Sequence, residues 1–205
     1  MVEPTRIVAI RHGETAWNAE KRLQGQLDIG LNARGLDQAQ RLATALADER
    51  FDAVYASDLL RARATAEAFA RPMGLTVHTD RGLRERAFGV FEGLTYAEIE
   101  QHWPEDTLRW RRREPGFGPE GGETLEGFQA RCVAAAARIA GSHAGESIAL
   151  VAHGGVLDAL YRAATRAGLS APRTWELGNA AINRLLHGDA GFVLVGWDDR
   201  RHLDE

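Results

Sequence analysis

Cysteine and lysine are almost missing from this chain. A single cysteine, Cys132, in 205 residues excludes an internal disulfide, which agrees with a reducing compartment and leaves no redox pair. Lys21 is the single lysine among 25 basic residues, so an arginine carries information here only where its neighbours give it a context. Nor is there a basic excess: the formal net charge of -4 removes the general electrostatic drive toward nucleic acid or an anionic membrane. No run approaches the roughly 18 apolar residues of a membrane span. The start, "MVEPTRIVAI", lacks a signal peptide's basic region and cleavage site, so a cytoplasmic protein is expected.

The composition is that of a packed fold. A hydrophobic share of 44% with 26% charged residues is too apolar for disorder, and the length suits one core, hence one domain over 1–205. Strand-like and helix-like segments alternate. "RIVAI", "FDAVYAS", "LTVHT" and the strongly apolar "SIALVAH" read as strands, and "INRLLH" with "FVLVGW" as a closing hairpin around "GDAG". Between them, "LNARGLDQAQRLATALADE" places Leu36, Ala39, Leu42, Ala43, Leu46 and Ala47 on one helical face behind an N-cap at Asn32. Further helices are expected over Leu59 to Ala70, Leu125 to Ile139 and Val156 to Ala164. The fold class that follows is α/β: three layers, a mainly parallel sheet of about six strands, helices on both faces, and functional residues at the carboxyl ends of strands.

Residues 86–123 break the alternation, being rich in glycine, proline and tryptophan, and read as a small cap-like insertion. Within it "TYAE" forms a capping box, Thr95 with Glu98, flanked by Leu94 and Ile99 as a hydrophobic staple. Phe88, Phe91, Trp103, Trp110 and Phe117 either line a pocket or pack this insertion down, and the arginines of "RWRRRE", Arg109 to Arg113, read as a solvated helix face or a grip on a second anion.

"RHGET", "SDLLRA" and "VAHGG" each join a strand end to a helix start, where free N-H groups favour an anion. Arg11 and Arg61 add forked hydrogen bonds suited to phosphate, and the glycines after each histidine leave room for a ligand. His12 and His153 are then satisfied interior residues, metal ligands or a nucleophile with its partner. No further ligands at metal-site spacing stand near either, and the nucleophile reading needs a neutral imidazole facing phosphorus, which nothing in the sequence forbids.

At this point the chain resembles the histidine phosphatase superfamily, the group that includes cofactor-dependent phosphoglycerate mutase. The resemblance runs from about Arg6 to His187 through "RHGETAWN", "LQGQLDIGLNARG", "SDLLRARATAEAF", "LRERAFGVFEGLT", "GGETLEGFQAR" and "VAHGG" in order. It departs at Ala64 and Asn32, where family members often carry glutamine and threonine. It implies His12 as the nucleophile that becomes phosphorylated and Glu85 as the proton donor. Arg11, Arg61 and His153 then surround the phosphoryl group, Asn18, Gln24 and Gly25 make further phosphate and substrate contacts, and Thr15 and Gly154 lesser ones. No metal and no cofactor is implied, and the partner is a small phosphorylated substrate. The short insertion and "LQGQ" resemble the broad-specificity phosphatases more than the mutases. The alternatives are a 2,3-bisphosphoglycerate-dependent mutase and a non-catalytic phosphoprotein-binding module.

Overall fold

The computed structural model describes residues 3–204. The period-two apolar segments become six strands: β1 (Thr5–Arg11), β2 (Ala53–Ala56), β3 (Val77–Thr79), β4 (Ser147–Ala152), β5 (Ile182–Gly188) and β6 (Gly191–Asp199). They form one sheet in the order β3-β2-β4-β1-β5-β6. The first four run parallel, and β5 pairs antiparallel with both β1 and β6. Alternation along each strand feeds two cores, as a pleated sheet covered on both faces requires. Ile7, Ala9, Ile148 and Leu150 pack with α6 (Leu125–Gly141) and α7 (Gly154–Thr165), while Val8, Ile10, Ala149 and Val151 pack with α2 (Ala33–Ala45) and α3 (Leu60–Ala70). Ile7, Ile10, Ile148 and Leu150 are almost fully buried, each contributing about 1.5–3 kcal/mol by leaving water. The expected α/β three-layer architecture is present.

Local chemistry sets the helix starts. Asn32 caps α2 by accepting from the Gly35 amide, and Thr124 does the same for α6 from Gly127. On α2 the buried face is narrower than expected: Leu36 is 58% exposed and Ala47 is exposed, while Gly35 and Gln38 are buried. At 100° per residue Leu36 lies past the edge of the stripe centred on Ala39 and Leu42, and Ala47 falls beyond the end of the helix.

The segment 86–123 carries α4 (Tyr96–His102) and α5 (Pro104–Arg111), and the Thr95–Glu98 capping box is formed in full. Its buried core is Phe91, Ile99 and Phe117, with Leu94, Trp103 and Trp110 packed against them. No helix among the described residues is long and apolar enough to cross a membrane.

Sheet register positions the site. β1 and β4 are neighbours with Arg11 opposite Ala152, so the next residue of each strand, His12 and His153, leaves the sheet at the same level. Their rings stand 5.2 Å apart between centroids.

Candidate active site

His12 is 3% exposed, and its backbone is held on every side. Its amide donates to Ala152 O at 3.0 Å, and its carbonyl accepts from Asn179 Nδ2 at 3.0 Å. The Nδ1 atom lies 2.6 Å from Gly13 O, so Nδ1 carries the proton and Nε2 is the free lone pair. Gly13 serves packing rather than ligand approach, contrary to the expectation for that glycine. A Cβ there would stand 2.6 Å from Gly35 O, because the loop is pressed backbone to backbone against the first turn of α2. Gly13 N donating to Thr65 Oγ1 at 3.0 Å and Glu14 N donating to Gln38 Oε1 at 2.8 Å complete the clamp.

Around His12 stand two buried guanidinium groups. Arg61 is fully buried and donates to Gly25 O at 2.8 Å and Leu27 O at 2.9 Å, which ties the "LQGQ" loop to α3. Arg11 donates to Leu177 O. Each therefore uses terminal nitrogens to fix the surrounding loops and keeps its Nε without a partner, as are both ring nitrogens of His153. Burial lowers Arg61 to about 10 and lowers Arg11 as well, so both stay cationic near neutrality.

Glu85 immediately precedes the segment 86–123. Its Oε2 accepts from Gly155 N at 3.0 Å, at the N-terminus of α7, and its Oε1 accepts from Arg86 N at 2.9 Å. A Cβ on Gly155 would fall 2.2 Å from Glu85 Oε1, so only glycine admits the carboxylate there. The neighbouring arginines are engaged elsewhere. Arg84 forks onto Asp58 at 2.6 and 2.7 Å, Arg86 donates to the carbonyls of Phe117 and Glu123, and Arg131 pairs with Glu123 at 2.7 Å while binding the carbonyls of Gly82, Arg84 and Glu85. Among the described residues Glu85 itself makes no ion pair.

These groups meet in a cavity of about 430 Å³ lined by Arg11, His12, Asn18, Gln24, Gly25, Arg61, Glu85 and Gly154 among others. His153 lies behind His12, wholly buried. Thr15 is brought to the site's edge but does not line the cavity. Its side chain caps α1 (Ala16–Ala19), accepting from Asn18 N at 3.1 Å, and its hydroxyl lies 2.9 Å from Gln24 Oε1. Seven lining side chains are cationic against three acidic ones, so the cavity favours an anion although the whole chain is acidic. Among the described residues no three His, Cys, Asp or Glu side chains cluster as a metal site.

Of the arginines that the sequence leaves between a solvated face and a grip on an anion, one reaches the cavity. Arg113 reaches the cavity while bonded to Asp158 of α7 at 2.8 Å and to Leu169 O at 2.8 Å. Arg109 and Arg111 of the same run pair with Glu114 and Glu100 on the surface. Arg173 and Glu176, which line the cavity, and Asn179, which holds the His12 carbonyl, come from the stretch between α7 and β5, which has no periodicity to read.

Burial, followed by the charges of Arg61 and Arg11, holds His12 well below its ordinary value of 6.5. His153 is lowered in the same way, by burial first and then by Arg61, His12 and Arg11. Both rings are neutral at pH 7. The unfolded chain takes up protons at these positions as pH falls through about 6.5 and the folded chain does not. Stability is therefore full above that pH and lost as pH falls from it toward the depressed folded values. Urea denaturation at stepped pH is expected to show unfolding free energy falling below pH 6.5 by up to about 1.4 kcal/mol per pH unit for each of the two histidines. His12→Asn should flatten that slope, and an unchanged slope in both His12→Asn and His153→Asn contradicts the assignment.

A sequence model of the histidine phosphatase superfamily (branch 1) matches residues 7–200. The chain is 43% identical to "Phosphoglycerate mutase-like protein 4" of Arabidopsis thaliana, across 100% of this chain and 89% of that protein. It is 38% identical to the "Metal-independent phosphoserine phosphatase" of the same plant, across 98% and 84%. The solved structure of a mycobacterial glucosyl-3-phosphoglycerate phosphatase superposes with a TM-score of 0.85 at 34% identity, covering 95% of this chain and 99% of that one. With sequence, fold and relatives in agreement along nearly its whole length, the chain belongs to the histidine phosphatase superfamily.

Proposed function

We propose that the protein is a phosphomonoester hydrolase that works without a metal ion, through a phosphohistidine on His12, on small phosphorylated metabolites. One observation carries the reading. Beside the free Nε2 of a neutral His12, the buried Nε atoms of Arg11 and Arg61 and both ring nitrogens of His153 have no partner among the described residues. Buried donors are nearly always paired, and a phosphoryl group presents three oxygens to such a set.

The chemistry follows in two balanced steps. His12 Nε2 attacks phosphorus, the bond from phosphorus to the alcohol oxygen breaks, and protonated Glu85 donates its proton to that oxygen. Water then attacks the phosphorus, its proton passes to the Glu85 carboxylate, and the P–N bond breaks to restore the neutral imidazole. Between the steps, Arg11 and Arg61 stabilise the charge spread over the phosphoryl oxygens. Asn18, Gln24 and Gly25 contact phosphate or substrate from the opposite wall, with Gly154 and Thr15 in support. Residues 86–123 act as a cap within a single domain, closing the cavity over the alcohol part. The lone cysteine supports a cytoplasmic site of action.

Relatives named as phosphatases, at 38% and 34% identity, favour hydrolysis over the mutase alternative. Incubation with p-nitrophenyl phosphate in EDTA tests the proposal. Undiminished phosphate release is expected; no turnover, or turnover abolished by EDTA, overturns it. Isomerisation of 3-phosphoglycerate that requires 2,3-bisphosphoglycerate would establish the mutase instead.

A further inference from the structure

The mouth of the cavity carries aromatic side chains that neither hold the phosphoryl group nor form the core of the cap. Trp17, Phe88, Tyr96 and Trp110 line it. The buried core of the cap is Phe91, Ile99 and Phe117, with Phe88 and Trp110 packed against it, whereas Tyr96 is 54% exposed. Its ring lies over Trp110, with centroids 5.3 Å apart and planes 23° from parallel. Trp110 is itself wedged 5.6 Å from Phe88 and 5.4 Å from Phe91. Tyr96 is thus backed by Trp110, and both rings line the cavity while more than half of Tyr96 stays open to solvent. It lines the same cavity as Arg11, Glu85 and Arg173.

An aromatic face held in place by a second ring is preorganised for stacking, because little rotamer freedom remains to be lost on binding. The cavity volume of about 430 Å³ lies within the range that accommodates whole organic ligands, which leaves room for a ring beyond the phosphoryl group. Resting on the hydrolase reading above, we infer that the cavity selects phosphomonoesters whose alcohol part carries a planar aromatic ring, stacked on Tyr96 while the phosphoryl group sits at His12.

Adenosine 5′-monophosphate and ribose 5-phosphate test this, because both release the same kind of primary alcohol and differ in the ring. The expected result is a kcat/KM ratio favouring the nucleotide about tenfold, the size of one base–aromatic stack. Tyr96→Ala should bring the ratio near one, and Tyr96→Phe should keep it. A ratio near one in the unsubstituted protein, a ratio unmoved by Tyr96→Ala, or turnover of neither compound by protein that hydrolyses p-nitrophenyl phosphate overturns the stacking inference alone. Failure to hydrolyse p-nitrophenyl phosphate overturns the hydrolase reading beneath it.

Discussion

His12→Ala lowers kcat for p-nitrophenyl phosphate on the order of 10⁴-fold or more, the scale on which removal of an attacking group acts. The reason is geometric. The Nδ1 contact to Gly13 O, the amide bond to Ala152 O and the Asn179 bond to its carbonyl fix where Nε2 points, and no other group in the cavity has a free lone pair placed in that way. His153 does not substitute, because it is wholly buried and no hydrogen bond fixes its ring among the described residues. A circular dichroism spectrum and melting curve separate lost chemistry from lost fold. A variant that retains more than a tenth of the activity contradicts the role given to His12.

Glu85→Gln is expected to lower kcat by about 10² to 10⁴, and more for an alkyl phosphate than for p-nitrophenyl phosphate. An alkoxide leaves poorly unless it is protonated, whereas p-nitrophenolate leaves well without help, so the loss should grow with the basicity of the leaving group. Glutamine keeps the size of the side chain. It can accept from only one of the two amides that now hold the carboxylate, Gly155 N and Arg86 N. Equal losses for both substrates would point to misplacement of the side chain rather than a missing proton. Comparing ribose 5-phosphate with p-nitrophenyl phosphate decides between these.

Much of this was legible before any coordinates, and the reasons lie in particular residues. Short apolar runs such as "RIVAI" and "SIALVAH" have no other stable use than buried strands, and His12 and His153 follow them directly. The Thr95–Glu98 capping box and the Asn32 cap are local chemistry, and local chemistry survives folding. Glu85 was different. Nothing in its own surroundings, between Arg84 and Arg86, marks it as catalytic, and only the family resemblance singles it out. In the structure Asp58, Glu123 and backbone carbonyls hold Arg84, Arg86 and Arg131. Asn179 and Arg173 were invisible because they lie in irregular chain, where position depends on contacts distant in sequence, such as Asn179 with the His12 carbonyl. Leu36 was assigned to the wrong side of α2 because an apolar residue at the margin of a helical stripe does not declare its face.

The central claim is that phosphate passes through His12. Mixing the protein with a phosphorylated substrate, quenching at alkaline pH where phosphohistidine survives, and mapping the modified peptide by mass spectrometry tests it most directly. The account predicts one phosphoryl group on the peptide bearing "RHGET", located on His12, and with p-nitrophenyl phosphate, whose leaving group needs no proton, Glu85→Gln should increase its amount because hydrolysis of the intermediate is slowed more than its formation. Sustained turnover with no phosphoryl adduct at His12, or an adduct on another residue, would contradict it.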